Sequence, residues 1–108
     1  MGINYNLTEE QNELRELVKK FTKEEIIPKA AEHDRTGEFP WDIVKKAHSL
    51  GIMNTHIPQS LGGNELSVLE SCILREELAY GCTGIYAAVD ETNIGVFKTI
   101  KYIFDYSK

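Results

Sequence analysis

Cysteine is scarce in this sequence. Cys72 and Cys82 are the two present, too few for a disulfide scaffold and too far apart for the short paired spacing of zinc or redox sites, so both are expected as reduced, partly buried thiols. Proline occurs three times and aromatic residues make up 9% of the chain, which leaves no proline-rich spacer, low-complexity tract or internal repeat to read. No apolar run approaches the roughly 20 residues a membrane-spanning helix requires. Basic residues gather into no stripe. Between Glu65 and Glu91 six acids (Glu65, Glu70, Glu76, Glu77, Asp90 and Glu91) face Arg75 alone, so this window carries the whole net charge of −5. Binding to nucleic acid or anionic lipid depends on neutralising phosphates, and neither partner is expected here. His33, His48 and His56 never fall at the i, i+4 offset that lets two helical imidazoles share an ion, so no metal site is expected. There is no G-x-S-x-G nucleophile turn and no G-x-G-x-x-G or phosphate loop.

What is present is a 108-residue chain, 42% apolar and 27% charged. That suffices for one domain with a modest core. Met1-Gly-Ile-Asn-Tyr-Asn6 lacks the Ser or Thr that myristoylation wants, and no Arg-rich or secretory segment precedes the folded pattern. A targeting segment is therefore expected to be absent or already removed.

The periodicity predicts an all-α fold, a bundle of about four helices with a long ordered loop between helices two and three. Thr8 and Gln11 have capping-box spacing and open helix one. Leu14, Leu17, Val18 and Phe21 share a face, but beyond Glu24 the apolar positions (Ile26, Ile27, Ala30, Ala31) move to another side. Pro28 sits close to that switch, and a kink or break is expected there. Asp34–Gly37 reads as a turn. Pro40 is expected in the first turn of helix two, whose buried stripe is Ile43, Val44, Ala47 and Leu50, with Gly51 ending it in the left-handed conformation. Residues 52–64 read as the loop, punctuated by Ile57-Pro58 and Gly62-Gly63.

Ser67 and Glu70 repeat the capping box and start helix three, which runs to about Tyr80. It carries Leu69, Cys72, Ile73 and Tyr80 on one face and Leu74 and Leu78 on the other, so it is expected to be sandwiched. Glu76 projects from the first face, where a buried carboxylate would have to be paired. Thr83 is expected to cap helix four. One side of that helix holds Ile85, Ala88, Val89, Thr92 and Val96. Tyr86, Ala87, Asp90 and Ile94 cluster on the other, at i, i+1, i+4 and i+8, a face that suits a ligand wall or a packed neighbour equally.

Four stretches carry a family likeness: Glu24-Glu-Ile-Ile-Pro28, Leu50-Gly-Ile-Met-Asn-Thr-His-Ile-Pro58, Gly62-Gly63 and Glu76-Glu-Leu-Ala-Tyr-Gly-Cys-Thr-Gly84. Together they resemble the N-terminal helical domain of acyl-CoA dehydrogenases, most closely the mitochondrial medium-chain type. The resemblance implies a complete enzyme of three domains that binds FAD and a fatty acyl-CoA, is commonly a homotetramer, and passes electrons to an electron-transfer flavoprotein in the mitochondrial matrix. It implies that the catalytic glutamate and most FAD contacts lie in other domains, so no catalytic residue and no cofactor are expected in this chain alone. It also implies that Tyr86, Ala87, Asp90 and Ile94 line part of the acyl pocket. After Gly95 the sequence departs from the family's continuation. Residues 1–95 are thus expected to be the helical domain and 96–108 a divergent tail. Two further readings stay open, a small helical acyl-CoA-binding module and a module that docks on an intact subunit.

Overall fold

The computed structural model describes residues 2, 4–90, 99 and 103. Helix α1 (Glu9–Phe21) opens on a complete capping box. Thr8 Oγ1 accepts the Gln11 N–H at 3.2 Å while Gln11 Oε1 accepts the Thr8 N–H at 3.0 Å. Two backbone donors that a helix start leaves orphaned are thereby satisfied.

The change of apolar face has a specific structural cause. Between α1 and α2 (Ile27–Thr36) the chain makes a π-helical turn, Thr22–Ile26, in which the Ile27 N–H donates to the Thr22 carbonyl five residues back. The wider turn holds extra residues and rotates the stripe, so burial passes from Val18 and Phe21 to Thr22 and Ile26. Pro28 follows directly, at the start of α2. Its ring would crowd the carbonyl four residues back in a regular α-helix, and a widened turn relieves that crowding. The kink expected at Pro28 is thus a bulge lying just before it. The expected turn at Asp34–Gly37 is shorter than read. Helix α2 continues through Thr36, and Gly37 alone, at φ 70°, ends it by donating to the His33 carbonyl.

Pro40 occupies the N-cap of α3 (Trp41–Ser49), one position before the expected first turn. Ile43 and Ala47 are buried, while Leu50 at the helix end stays exposed, unlike the expected stripe. Gly51 terminates α3 at φ 71°. Its N–H donates to His48 and that of Ile52 to Ala47, a Schellman closure that draws Ile52 into the core. The long loop then folds back on itself. Asn64, Glu65 and Leu66 donate backbone N–H groups to Asn54, Ile57 and Thr55. The Asn64 side chain donates to the Gly51 and Met53 carbonyls. Gly63 lies so close to Ile57 that a Cβ would fall 2.0 Å from its carbonyl oxygen, which fixes glycine at this position.

Helix α4 (Val68–Gly81) begins with the second capping box, Ser67 with Glu70, and packs along α1 and the π turn. Leu74 and Leu78 are buried as read, and Ile73 with them. Of the other expected face Ile73 alone is covered: Leu69, Cys72, Glu76 and Tyr80 are exposed in the described structure. Glu76 therefore needs no buried partner. Its neighbour Glu77 is the one held, by Arg15 Nε at 3.1 Å. The fourth helical segment, here α5 (83–90), follows after the single residue Cys82. With Ile85 and Val89 it closes a core also built from Val18, Phe21, Ile26, Ile43, Ala47, Ile52, Met53, Leu74 and Leu78. No strand occurs among the described residues. The expected tail 96–108 lies, but for helical Thr99 and Ile103, outside them.

Gly81 is where α4 meets the π turn. A Cβ there would stand 2.5 Å from Thr22 Cγ2 and 2.9 Å from Ile26 Cγ2, and both methyls sit on stiff β-branched side chains. Gly81→Ala is predicted to destabilise the chain by roughly 1–3 kcal/mol despite the better helix propensity of alanine, measured by urea unfolding. A gain in stability would show that the two helices do not approach this closely.

Candidate functional site

The corner between α4 and α5 sets the geometry of the site. Cys82 is extended, at φ −170° and ψ 120°, and its carbonyl accepts the Tyr86 N–H at 2.9 Å. Cys82 is thus the residue that starts α5, and Thr83 lies inside the helix instead of capping it. One residue suffices to turn the chain, so α5 leaves α4 at a defined angle and its face toward Arg75 is fixed.

On that face Tyr86 and Asp90 stand one turn apart. The Tyr86 hydroxyl donates to Asp90 Oδ2 at 3.2 Å. Arg75, reaching across from α4, brings Nε to 3.1 Å of the same oxygen. The Nε–H is not aligned on that oxygen, so the pair is Coulombic and not a directed hydrogen bond. Asp90 is 4% exposed, and a buried carboxylate without such a partner would cost several kcal/mol. At its other end Arg75 places Nη2 3.1 Å from His56 Nε2, in the long loop. A guanidinium can only donate, so Nε2 accepts and the imidazole proton sits on Nδ1. Loop, α4 and α5 are joined in one polar line: His56, Arg75, Asp90, Tyr86.

The Tyr86 phenol is raised above its ordinary value, first by burial and then by the adjacent Asp90 carboxylate, with Arg75 acting in the opposite direction. Ala87 turns away from this line. It is exposed and contributes to a cleft of about 530 Å³ between α2 and α5, together with Ala30, His33, Asp34, Glu38 and Phe39. Of the four residues singled out on the sequence, the structure joins Tyr86 and Asp90 and sets Ala87 on a different side. Ile94, with Thr92 and Val96, lies outside the described residues. Arg75 and His56 were not among the four. The charge tally had isolated Arg75 as the single base in the acidic window, a signal that a partner had to be sought. His56 lies in the Leu50–Pro58 motif, and its sequence spacing argues only against a metal site.

A family model for the acyl-CoA dehydrogenase N-terminal domain matches residues 8–103. The chain belongs to the acyl-CoA dehydrogenase family. It is similar to a probable mitochondrial medium-chain specific acyl-CoA dehydrogenase of Caenorhabditis briggsae, 44% identical over 87 residues, which are 81% of this chain and 21% of that protein. A probable acyl-CoA dehydrogenase of Bacillus subtilis, YngJ, is 42% identical over 89 residues, 80% of this chain and 23% of the relative. A 3-sulfinopropanoyl-CoA desulfinase of Variovorax paradoxus is 33% identical over 96 residues, 89% and 24%. The chain thus spans less than a quarter of the length of these relatives.

An FAD pyrophosphate is held by free N–H donors or cations in a concave seat. The cleft beside α5 presents Asp34 and Glu38 instead, whereas a second cleft, on the side of α1, presents Arg15, Lys19 and Lys23, with Arg15 already paired to Glu77. Among the described residues no helix is long and apolar enough to cross a membrane.

The arrangement predicts a titration. In the difference between the native chain and Tyr86→Phe, followed by phenolate absorbance, Tyr86 should ionise above the ordinary 10.0, and Asp90→Asn should bring it down. Because the folded state holds this proton more tightly than the unfolded chain, its contribution to stability is complete below the ordinary tyrosine value and is lost as pH rises through the raised one. Ionisation at the ordinary value in the native chain would contradict the Tyr86–Asp90 contact.

Proposed function

We propose that this chain is the N-terminal part of an FAD-dependent acyl-CoA dehydrogenase, which introduces an α,β double bond into fatty acyl-CoA thioesters in fatty acid β-oxidation. Its contribution is part of the acyl-pocket wall, through Tyr86, Ala87, Asp90 and Ile94, and a surface for the other domains. In this reaction a base removes the proton beside the thioester carbonyl while hydride leaves the next carbon for the flavin, and both steps require a positioned substrate in a site closed to water. Base and flavin belong to the parts of the enzyme outside this chain. The chain alone is inert. The complete enzyme works in the mitochondrial matrix, assembles as a homotetramer and delivers electrons to an electron-transfer flavoprotein.

One observation carries the reading beyond the family match. The same segment, 86–90, that continues from the Glu76–Gly84 motif holds a half-buried tyrosine bonded to a buried carboxylate that an arginine braces, while on α4 the side chains of Val68, Leu69 and Tyr80 are left uncovered at 77%, 52% and 81% exposure. Uncovered apolar side chains beside a built polar line suit a lobe that presses on further structure. They equally support a second reading, a module that docks on an intact subunit. A free-standing acyl-CoA carrier is less suited, because the cleft beside α5 offers carboxylates where CoA phosphates need cations.

The test is a chimaera in which residues 8–103 replace the matching segment of a full-length medium-chain acyl-CoA dehydrogenase. It is predicted to retain flavin and to be bleached by a fatty acyl-CoA, whereas the 108-residue chain alone stays colourless. A flavin-bearing chimaera that no acyl-CoA reduces, or a yellow isolated chain, would overturn the proposal.

A further inference from the structure

We infer that the cleft between α1 and the last turns of α4 is an anion site for a phosphate monoester, held by Arg15 and Lys19 of α1, Lys23 of the π turn and the buried Thr22 hydroxyl. It goes beyond the acyl-CoA reading and does not depend on it.

The chain carries a charge of −5, yet this cleft of about 480 Å³ has the opposite sign. Arg15, Lys19 and Lys23 follow at four-residue intervals, which brings them to one side on successive turns, and Glu77 is the one acid lining the cleft with them. The local balance is +2. Glu77 is already engaged, because its Oε1 accepts Arg15 Nε–H at 3.1 Å. Both Nη groups of the guanidinium remain for a ligand, in the planar geometry that suits an oxyanion. Neither lysine is held in an ion pair among the described residues.

Thr22 points to a ligand independently of these charges. Its side chain is 2% exposed and Oγ1 has no hydrogen-bond partner. A helical threonine can donate this hydroxyl to a carbonyl one turn back, and at the start of the π turn it does not. The methyl is given to Gly81, which leaves the hydroxyl as the side-chain branch for the cleft that Thr22 lines. A buried hydroxyl left unpaired is destabilising, and an acceptor on a bound ligand would relieve it. The exposed Tyr80 hydroxyl adds a further donor at the same cleft. A cationic ligand finds no free carboxylate here, whereas an anion finds charge and donors together. A phosphate monoester brings close to two negative charges and three acceptor oxygens above about pH 7, which matches the balance of +2. The cleft is larger than a bare ion needs, and the Tyr80 ring offers the organic part of the ester an apolar face.

The probes are AMP, inorganic phosphate and adenosine, added to the 108-residue chain at about pH 7.5 and constant ionic strength and followed by ¹H–¹⁵N NMR. AMP should give saturating shifts at Arg15 Nε–H and at the amides of Lys19, Thr22, Lys23 and Tyr80. Phosphate should move the same signals more weakly, and adenosine should leave them in place. Lys19→Gln combined with Lys23→Gln should weaken AMP by about tenfold or more, the loss of charged hydrogen bonds. Thr22→Val keeps the shape and removes the hydroxyl. It should weaken AMP by about threefold without lowering the urea midpoint, whereas a merely structural Thr22 would leave the affinity unmoved. Shifts that never saturate, equal shifts with adenosine, or a double variant that binds as tightly as the native chain would overturn the inference. So would sedimentation of the chain with phosphatidylserine vesicles while AMP and phosphate leave the spectrum unchanged, since the cations would then serve a lipid surface. No flavin or thioester enters the assay, so none of these outcomes bears on the proposed function.

Discussion

The contact on which the rest of this domain depends is the approach of α4 to the π turn at Gly81. An ordinary helical residue would not fit there, because the Thr22 and Ile26 methyls occupy the place of its Cβ. The turn brings those two side chains inward, and the missing side chain of Gly81 receives them. Seating α4 in this way fixes Arg75, two turns earlier on the same helix, and fixes the corner at Cys82 immediately after it. The direction of α5 follows, and with it the meeting of Tyr86, Asp90 and Arg75. A packing constraint in the core thereby becomes the geometry of the candidate wall.

That chain of causes explains which parts of the molecule were legible from residue order and which were not. Local rules read correctly where they were sufficient. Thr8 with Gln11 and Ser67 with Glu70 each satisfy orphan backbone donors within three residues, and Gly51 closes α3 with bonds confined to its own last turn. Where the outcome depended on a partner elsewhere in the chain, the reading fell short. The switch of apolar stripe was visible beyond Glu24, but spacing alone does not say whether a break, a kink or a π turn produces it. Glu76 shares a face with Leu69, Cys72, Ile73 and Tyr80, which reads as covered. Of that face the described structure buries Ile73 and leaves Leu69, Cys72, Glu76 and Tyr80 exposed, and the pairing belongs to Glu77 and Arg15, which no local pattern connects.

The candidate site divides along the same line. The i, i+4 offset placed Tyr86 and Asp90 together, and the structure joins them. Ala87, one residue on, is turned toward the cleft beside α2. Arg75 and His56 lie 15 and 34 positions before Asp90 in the chain, and only the folding of the long loop and α4 brings them into the line. Membership of the acyl-CoA dehydrogenase family gives these residues their setting, and the arginine between loop and helix ties them into one polar line.

The most direct test of the central contact is a double-mutant cycle between Gly81→Ala and Thr22→Ser, read by equilibrium unfolding. Thr22→Ser deletes Cγ2, the atom nearest the added Cβ, and keeps the hydroxyl. The account predicts a favourable coupling of about 0.5–3 kcal/mol, with the serine recovering a substantial share of what the alanine loses. Effects that add to within about 0.5 kcal/mol would contradict it.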